Sequence, residues 1–95
     1  MVDSTVTFNC GIVTCSAYFS RGTTRTIAAI GVIASAACSL VPTDIGRRVC
    51  LAFGSALLDK TALQCSRSAQ CLQIRYLLNG IPVDVLCNNG RFCVN

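Results

Sequence analysis

Histidine and tryptophan are absent from this 95-residue chain, and no glutamate occurs in it. Without an imidazole there is no Ser-His or Cys-His activation of a nucleophile and no histidine ligand for a metal. Without glutamate, the carboxylate side chains are Asp3, Asp44, Asp59 and Asp84. Asp44 reads as a helix cap, Asp84 as the partner of an arginine, and Asp3 as part of a frayed terminus. Only Asp59 is uncommitted, and it is expected on a solvated helix face. A positioned pair of carboxylates for general acid–base work is therefore not expected. No Gly-x-Ser-x-Gly elbow, phosphate loop or Cys-x-x-Cys spacing is present either. The chain is read as not an enzyme, with no metal and no cofactor, and a small hydrolase working through Asp59 ranks third among the readings.

Charge is also scarce. Charged residues make up 13% of the chain, and none falls between Ile27 and Val41. That stretch, rich in alanine and other small residues, reads as the buried helix around which the domain is organised. Fifteen uncharged positions are too few to span a bilayer, which takes about 20. A core helix is preferred to a membrane-inserted one. The net charge of +4 favours an anionic surface, but its density is below that of a nucleic-acid binder, so no nucleic acid is expected as a partner.

What the chain does have is cysteine. Eight of them, Cys10, Cys15, Cys38, Cys50, Cys65, Cys71, Cys87 and Cys93, point to a disulfide framework and hence to an oxidising, extracellular compartment. The opening residues, Met1-Val2-Asp3-Ser4, lack the basic and apolar regions of a signal peptide, and the sequence reads as one whose leader has been removed.

In chain order, Val6, Phe8 and Cys10 alternate on one parity, and Val13, Cys15, Ala17 and Phe19 on the other. The change at Gly11 fits either one bent strand or a short hairpin. Ser20 to Thr24 reads as a loop in which Thr23 or Thr24 caps a helix running to about Leu40. Gly31 marks a close contact in it and Pro42 its stop. Thr43 or Asp44 caps a second helix, whose apolar positions are Ile45, Val49, Ala52, Phe53, Ala56, Leu57 and Leu63. The short connection makes the two helices antiparallel, and a Cys38–Cys50 bridge across it is the one pairing predicted. Eight cysteines allow 105 connectivities, and the other pairs stay open.

The strongest local signal is Leu72 to Leu78, Asn79-Gly80, then Ile81 to Cys87, a hairpin with a two-residue type I′ turn. Its register pairs Leu78 with Ile81, Tyr76 with Val83, Ile74 with Val85 and Leu72 with Cys87. It also places Arg75 opposite Asp84 and Pro82 opposite Leu77. Asn89-Gly90 reads as another turn, returning Arg91 to Val94 as a last strand. That register sets Cys87 and Cys93 on opposite faces and argues against a bridge between them. The whole is expected to be a single α+β domain over residues 1–95: an antiparallel helical hairpin packed on a small antiparallel β-sheet and stapled by disulfides.

Arg21 and Arg25 at the start of the first helix, with Arg67 near the end of the second, form a candidate anion site together with free helix N–H groups. Ordinary solvated arginines are the competing reading.

Tyr18-Phe19-Ser20-Arg21-Gly22-Thr23-Thr24-Arg25, the small-residue helix after it and Cys71-Leu72-Gln73-Ile74-Arg75-Tyr76 together resemble small exported, uncharacterised bacterial proteins of actinomycete type. Ala36-Ala37-Cys38-Ser39 and the overall size are similar to secreted fungal killer toxins and cysteine-rich effectors, whose cysteine spacing differs. Neither resemblance transfers a functional residue. The expected function is that of a secreted cationic protein acting by binding: a toxin, antimicrobial or effector directed at an anionic cell envelope. The alternative is an extracellular protein-binding or inhibitory module with a protein receptor.

Overall fold

The computed structural model of the protein describes residues 6–30, 38–41 and 43–94. It opens with a hairpin, the second of the two arrangements that the parity change at Gly11 allowed. Strand β1 (Val6–Cys10) turns through Gly11 into β2 (Thr14–Phe19), with the Gly11 N–H bonded to the Thr14 carbonyl at 2.8 Å. The pairs Val6 with Phe19, Phe8 with Ala17 and Cys10 with Cys15 bring both parity sets onto one face. A disulfide joins Cys10 to Cys15 directly across the hairpin.

Helix α1 (Arg21–Ile30) starts earlier than expected because Ser20, not Thr23 or Thr24, occupies the cap. Its hydroxyl accepts the Thr23 N–H at 3.2 Å and its carbonyl the Thr24 N–H at 2.8 Å. Thr24 has a different task. Fully buried, its hydroxyl donates to the Phe19 carbonyl and accepts the Leu72 N–H at 3.0 Å, fastening the helix to the strands on either side. Ile27, one turn on, enters the core. Gly31, Pro42 and the middle of the Ile27 to Val41 stretch lie outside the described residues. Cys38 is buried and bonded to Cys50, as predicted.

The second helix is not continuous. Helix α2 (Asp44–Phe53) ends at Gly54, and α3 (Ser55–Arg67) begins just after it. Gly54 has φ +84°, a conformation that residues with a Cβ seldom adopt. The break resets the helical phase. Gly46, Val49 and Cys50 are buried on α2, and Leu58, Thr61, Ala62 and Cys65 on α3. Ile45, Ala52, Ala56, Leu57 and Leu63, expected to line one continuous inner face, are exposed instead. Of the two possible caps on α2, Thr43 is used, accepting the Gly46 N–H at 3.1 Å. Among the described residues the main helical neighbour of α1 is α3.

Strands β3 (Cys71–Leu77) and β4 (Pro82–Asn88) complete an antiparallel sheet in the order β1-β2-β3-β4. The expected register holds for Leu72 with Cys87, Ile74 with Val85 and Arg75 with Asp84. Above that it slips by one residue, so Tyr76 pairs with Pro82 instead of Val83. The cause is the turn. Gly80 N–H bonds to Leu77 O and Leu77 N–H to Ile81 O, both at 2.8 Å, so the loop has three residues, with Gly80 at φ +91°. A type I turn followed by a left-handed glycine meets these bonds, where the type I′ turn would have closed on two residues. The bulge at Val83 absorbs the difference.

Among the described residues no last strand follows the Asn89-Gly90 turn. The tail instead crosses the sheet's other face, where Cys93 bonds to Cys71, Phe92 stacks on Tyr18 at 5.3 Å between ring centroids, and the Val94 carbonyl accepts the Arg21 N–H. Cys87 pairs with Cys65. The excluded Cys87–Cys93 bridge is indeed not formed, although the strand from which it was excluded does not exist. The result is an α+β fold with four disulfides that engage every cysteine. Its core lies between the sheet's inner residues (Ala17, Phe19, Leu72, Ile74) and Ile27, Leu58, Ala62 and Cys65 of the helices.

Candidate functional site

The start of α1 meets the end of α3. Arg21 donates through Nε to the Ala69 carbonyl at 2.8 Å and through Nη2 to Asn89 Oδ1 at 2.7 Å, so its guanidinium ties the loop after α3 to the loop after β4. Arg67, the last residue of α3, therefore lies at the same end as Arg21, with Arg25 one turn further along α1. Arg25 and Arg67 are both exposed. The backbone donors imagined beside them are largely taken: the Arg21 N–H by Val94 and the Thr23 N–H by Ser20. Whatever anion-binding capacity this end has rests on guanidinium groups rather than on a helix terminus.

The carboxylates divide clearly. Asp44 pairs with Arg47 at 3.1 Å, and Arg47 also holds the Val41 carbonyl. Asp84 receives two bonds from Arg75, Nε to Oδ1 at 2.7 Å and Nη2 to Oδ2 at 2.6 Å. Those bonds hold the Asp84 carboxyl below its ordinary value and raise the Arg75 guanidinium above its own. Asp59 departs from expectation. It is half-buried instead of solvated, and its Oδ1 has no hydrogen-bond partner. Asp3 lies outside the described residues. Among the described residues no three metal-ligating side chains cluster, and every cysteine sulfur is in a disulfide.

Two features escaped the sequence reading. One is the extension of the predicted Arg75–Asp84 pair into a polar row across the sheet through Ser16 and Asn9, with the buried Gln73 amide donating to Ser16 Oγ at 3.1 Å. The other is an apolar tip. The loops after β1 and β3 lie side by side, joined by the Leu78 N–H on the Val13 carbonyl at 3.0 Å. Ile12 there is 93% exposed and Val13 61%, beside exposed Leu78 and Ile81. Ile12, Val13, Leu77, Leu78 and Asn79 line a shallow open groove. The signal was in the sequence: turn chemistry asks for glycine and asparagine, but nothing in it asks for Ile-Val after Gly11 or Leu-Leu before Asn79.

Comparison with protein-family models, curated proteins and solved structures finds no match for the chain.

Proposed function

We propose that this is a secreted protein that acts by binding, as a toxin, antimicrobial or effector directed at an anionic cell envelope. The observation that carries the reading is the pairing of all eight cysteines in a chain of net charge +4. Four disulfides persist in an oxidising compartment and are reduced in a cytosolic one. The cationic excess draws the molecule to anionic surfaces. Exposed Arg25 and Arg67 supply part of that excess. The mode proposed is surface-bound; among the described residues no helix is long and apolar enough to cross a membrane. The test is binding of fluorophore-labelled protein to intact bacterial cells across ionic strengths. Binding that weakens as salt rises supports the reading; no binding even at low salt overturns it.

A second reading, an extracellular protein-binding or inhibitory module, draws on the sheet order, which leaves β1 and β4 as edge strands able to accept another strand. Saturable binding to one protein, indifferent to salt, would favour it.

A further inference from the structure

The apolar tip is built from two independent loops, and the fold does not bury it. Ile12 and Val13 project from the first loop, Leu78 and Ile81 from the second, and Ile45 at the start of α2 reaches the same place, its Cγ2 close to Gly80. Contiguous exposed apolar surface of this kind marks an interaction site. Its shape matters as well. The residues sit on hairpin turns that protrude, with Ile12 93% exposed, whereas a protein partner's interface core is commonly a flatter, shape-matched surface.

The charges behind the tip decide among occupants. The Gly11–Thr14 and Leu78–Ile81 loops contain no charged residue. The nearest carboxylates are already neutralised, Asp44 by Arg47 and Asp84 by Arg75. Arg48, one turn along α2 from Ile45 and on the same side of the helix, is exposed and makes no ion pair among the described residues. Apolar side chains at the leading edge, with an uncompensated arginine one turn behind, reproduce the arrangement by which proteins seat in the headgroup region of a bilayer: the apolar part enters the acyl boundary and the cation reaches lipid phosphate.

We propose that the tip formed by Ile12, Val13, Leu78 and Ile81 docks on the surface of an anionic lipid bilayer, with Arg48 at the headgroups. This deepens the envelope reading and rests on it.

The chain's lack of tryptophan makes the test direct. An Ile12→Trp variant carries a single indole at the tip, and a Gln64→Trp variant carries one at an exposed position of α3, towards the opposite end of the molecule. Both are mixed with vesicles of phosphatidylglycerol and phosphatidylcholine, or of phosphatidylcholine alone, after disulfide mapping and circular dichroism show the native fold. The expected result is a blue-shifted, enhanced emission from Ile12→Trp on anionic vesicles only, and none from Gln64→Trp. In co-sedimentation, Ile12→Asp with Leu78→Asp is expected to weaken binding of the otherwise native protein by about tenfold or more.

Equal shifts at both positions, or no shift at Ile12→Trp, overturn the proposal. So does a shift that grows with protein concentration in the absence of lipid, which would assign the tip to a second copy of the chain. If intact cells bind the protein while the tip variants behave as wild type, the tip assignment fails and the envelope reading stands. If cells do not bind it at all, the envelope reading itself fails.

Discussion

At the Cys71 end of β3 the chain is cross-tied several times over, while at the Leu77 end, about 20 Å away along the strand, it is held lightly. The first end has the Cys65–Cys87 and Cys71–Cys93 bridges, the Arg21 contacts to two loops, the Tyr18–Phe92 stack and the buried Thr24 hydroxyl. The second has one local bridge, Cys10–Cys15, a single backbone bond between its loops, and the buried Tyr76, which packs with Cys15 and Val49 and meets Thr43 Oγ1 through its hydroxyl at 3.3 Å. Yet it is the lightly held end that exposes isoleucine, valine and leucine. In a small domain, where burial is limited, apolar side chains kept at the less constrained end are not serving the core. The contrast separates residues that hold the fold from residues available for contact.

The largest expected effects compare the bridges. Replacing Cys71 and Cys93 together by alanine opens a loop with a sequence separation of 22, against 5 for Cys10 and Cys15. On loop entropy the first loss is about 3 kcal/mol and the second about 2 kcal/mol, to be read from denaturant midpoints of the two double variants. Equal losses would erase the asymmetry. Next is Thr24→Val, which keeps the shape but leaves the buried Leu72 N–H without its acceptor. It should cost about 1–3 kcal/mol by the same measurement.

A smaller effect comes from acid. Because Arg75 depresses the Asp84 carboxyl in the folded state, their pairing stabilises the fold above the ordinary carboxyl value of 3.8. That contribution is lost as pH falls through the lower folded value. Both side chains are 40% exposed, so solvent screening keeps it under about 1 kcal/mol. Wild type and Asp84→Asn should therefore differ slightly at neutral pH and converge in strong acid. The smallest effect is expected at the tip, where Ile12→Ser should change stability by no more than about 0.5 kcal/mol. A large loss there would show that the tip is structural after all.

The legible parts of the fold were those decided by neighbours in sequence. Cys38 and Cys50 flank one short connection, and Arg75 with Asp84 follows from counting outward from a turn. The count was wrong at the turn itself because Asn-Gly serves two turn types, and only the ladder bonds distinguish them. Gly54 lay inside the stretch read as one helix, and the positive φ that breaks that helix had no signal in the apolar pattern around it. The course of the tail depended on Cys93 finding Cys71, a long-range pairing that spacing does not specify. The arginine end was a candidate drawn from charge and from the expected antiparallel helices, whereas the engagement of Arg21 with Ala69 and Asn89 had no signal in the sequence. The tip was missed because apolar residues next to strands were assigned to the strands.

The bridges also govern what a protease can accomplish. The Gly11–Thr14 loop lies inside the ring closed by Cys10 and Cys15, and the Leu78–Ile81 loop inside both the Cys65–Cys87 and Cys71–Cys93 rings. A peptide bond cut in either exposed loop leaves no fragment free to diffuse away. The nicked molecule stays covalently whole, its severed ends tethered on both sides of the cut, and the break becomes visible only once the disulfides are reduced.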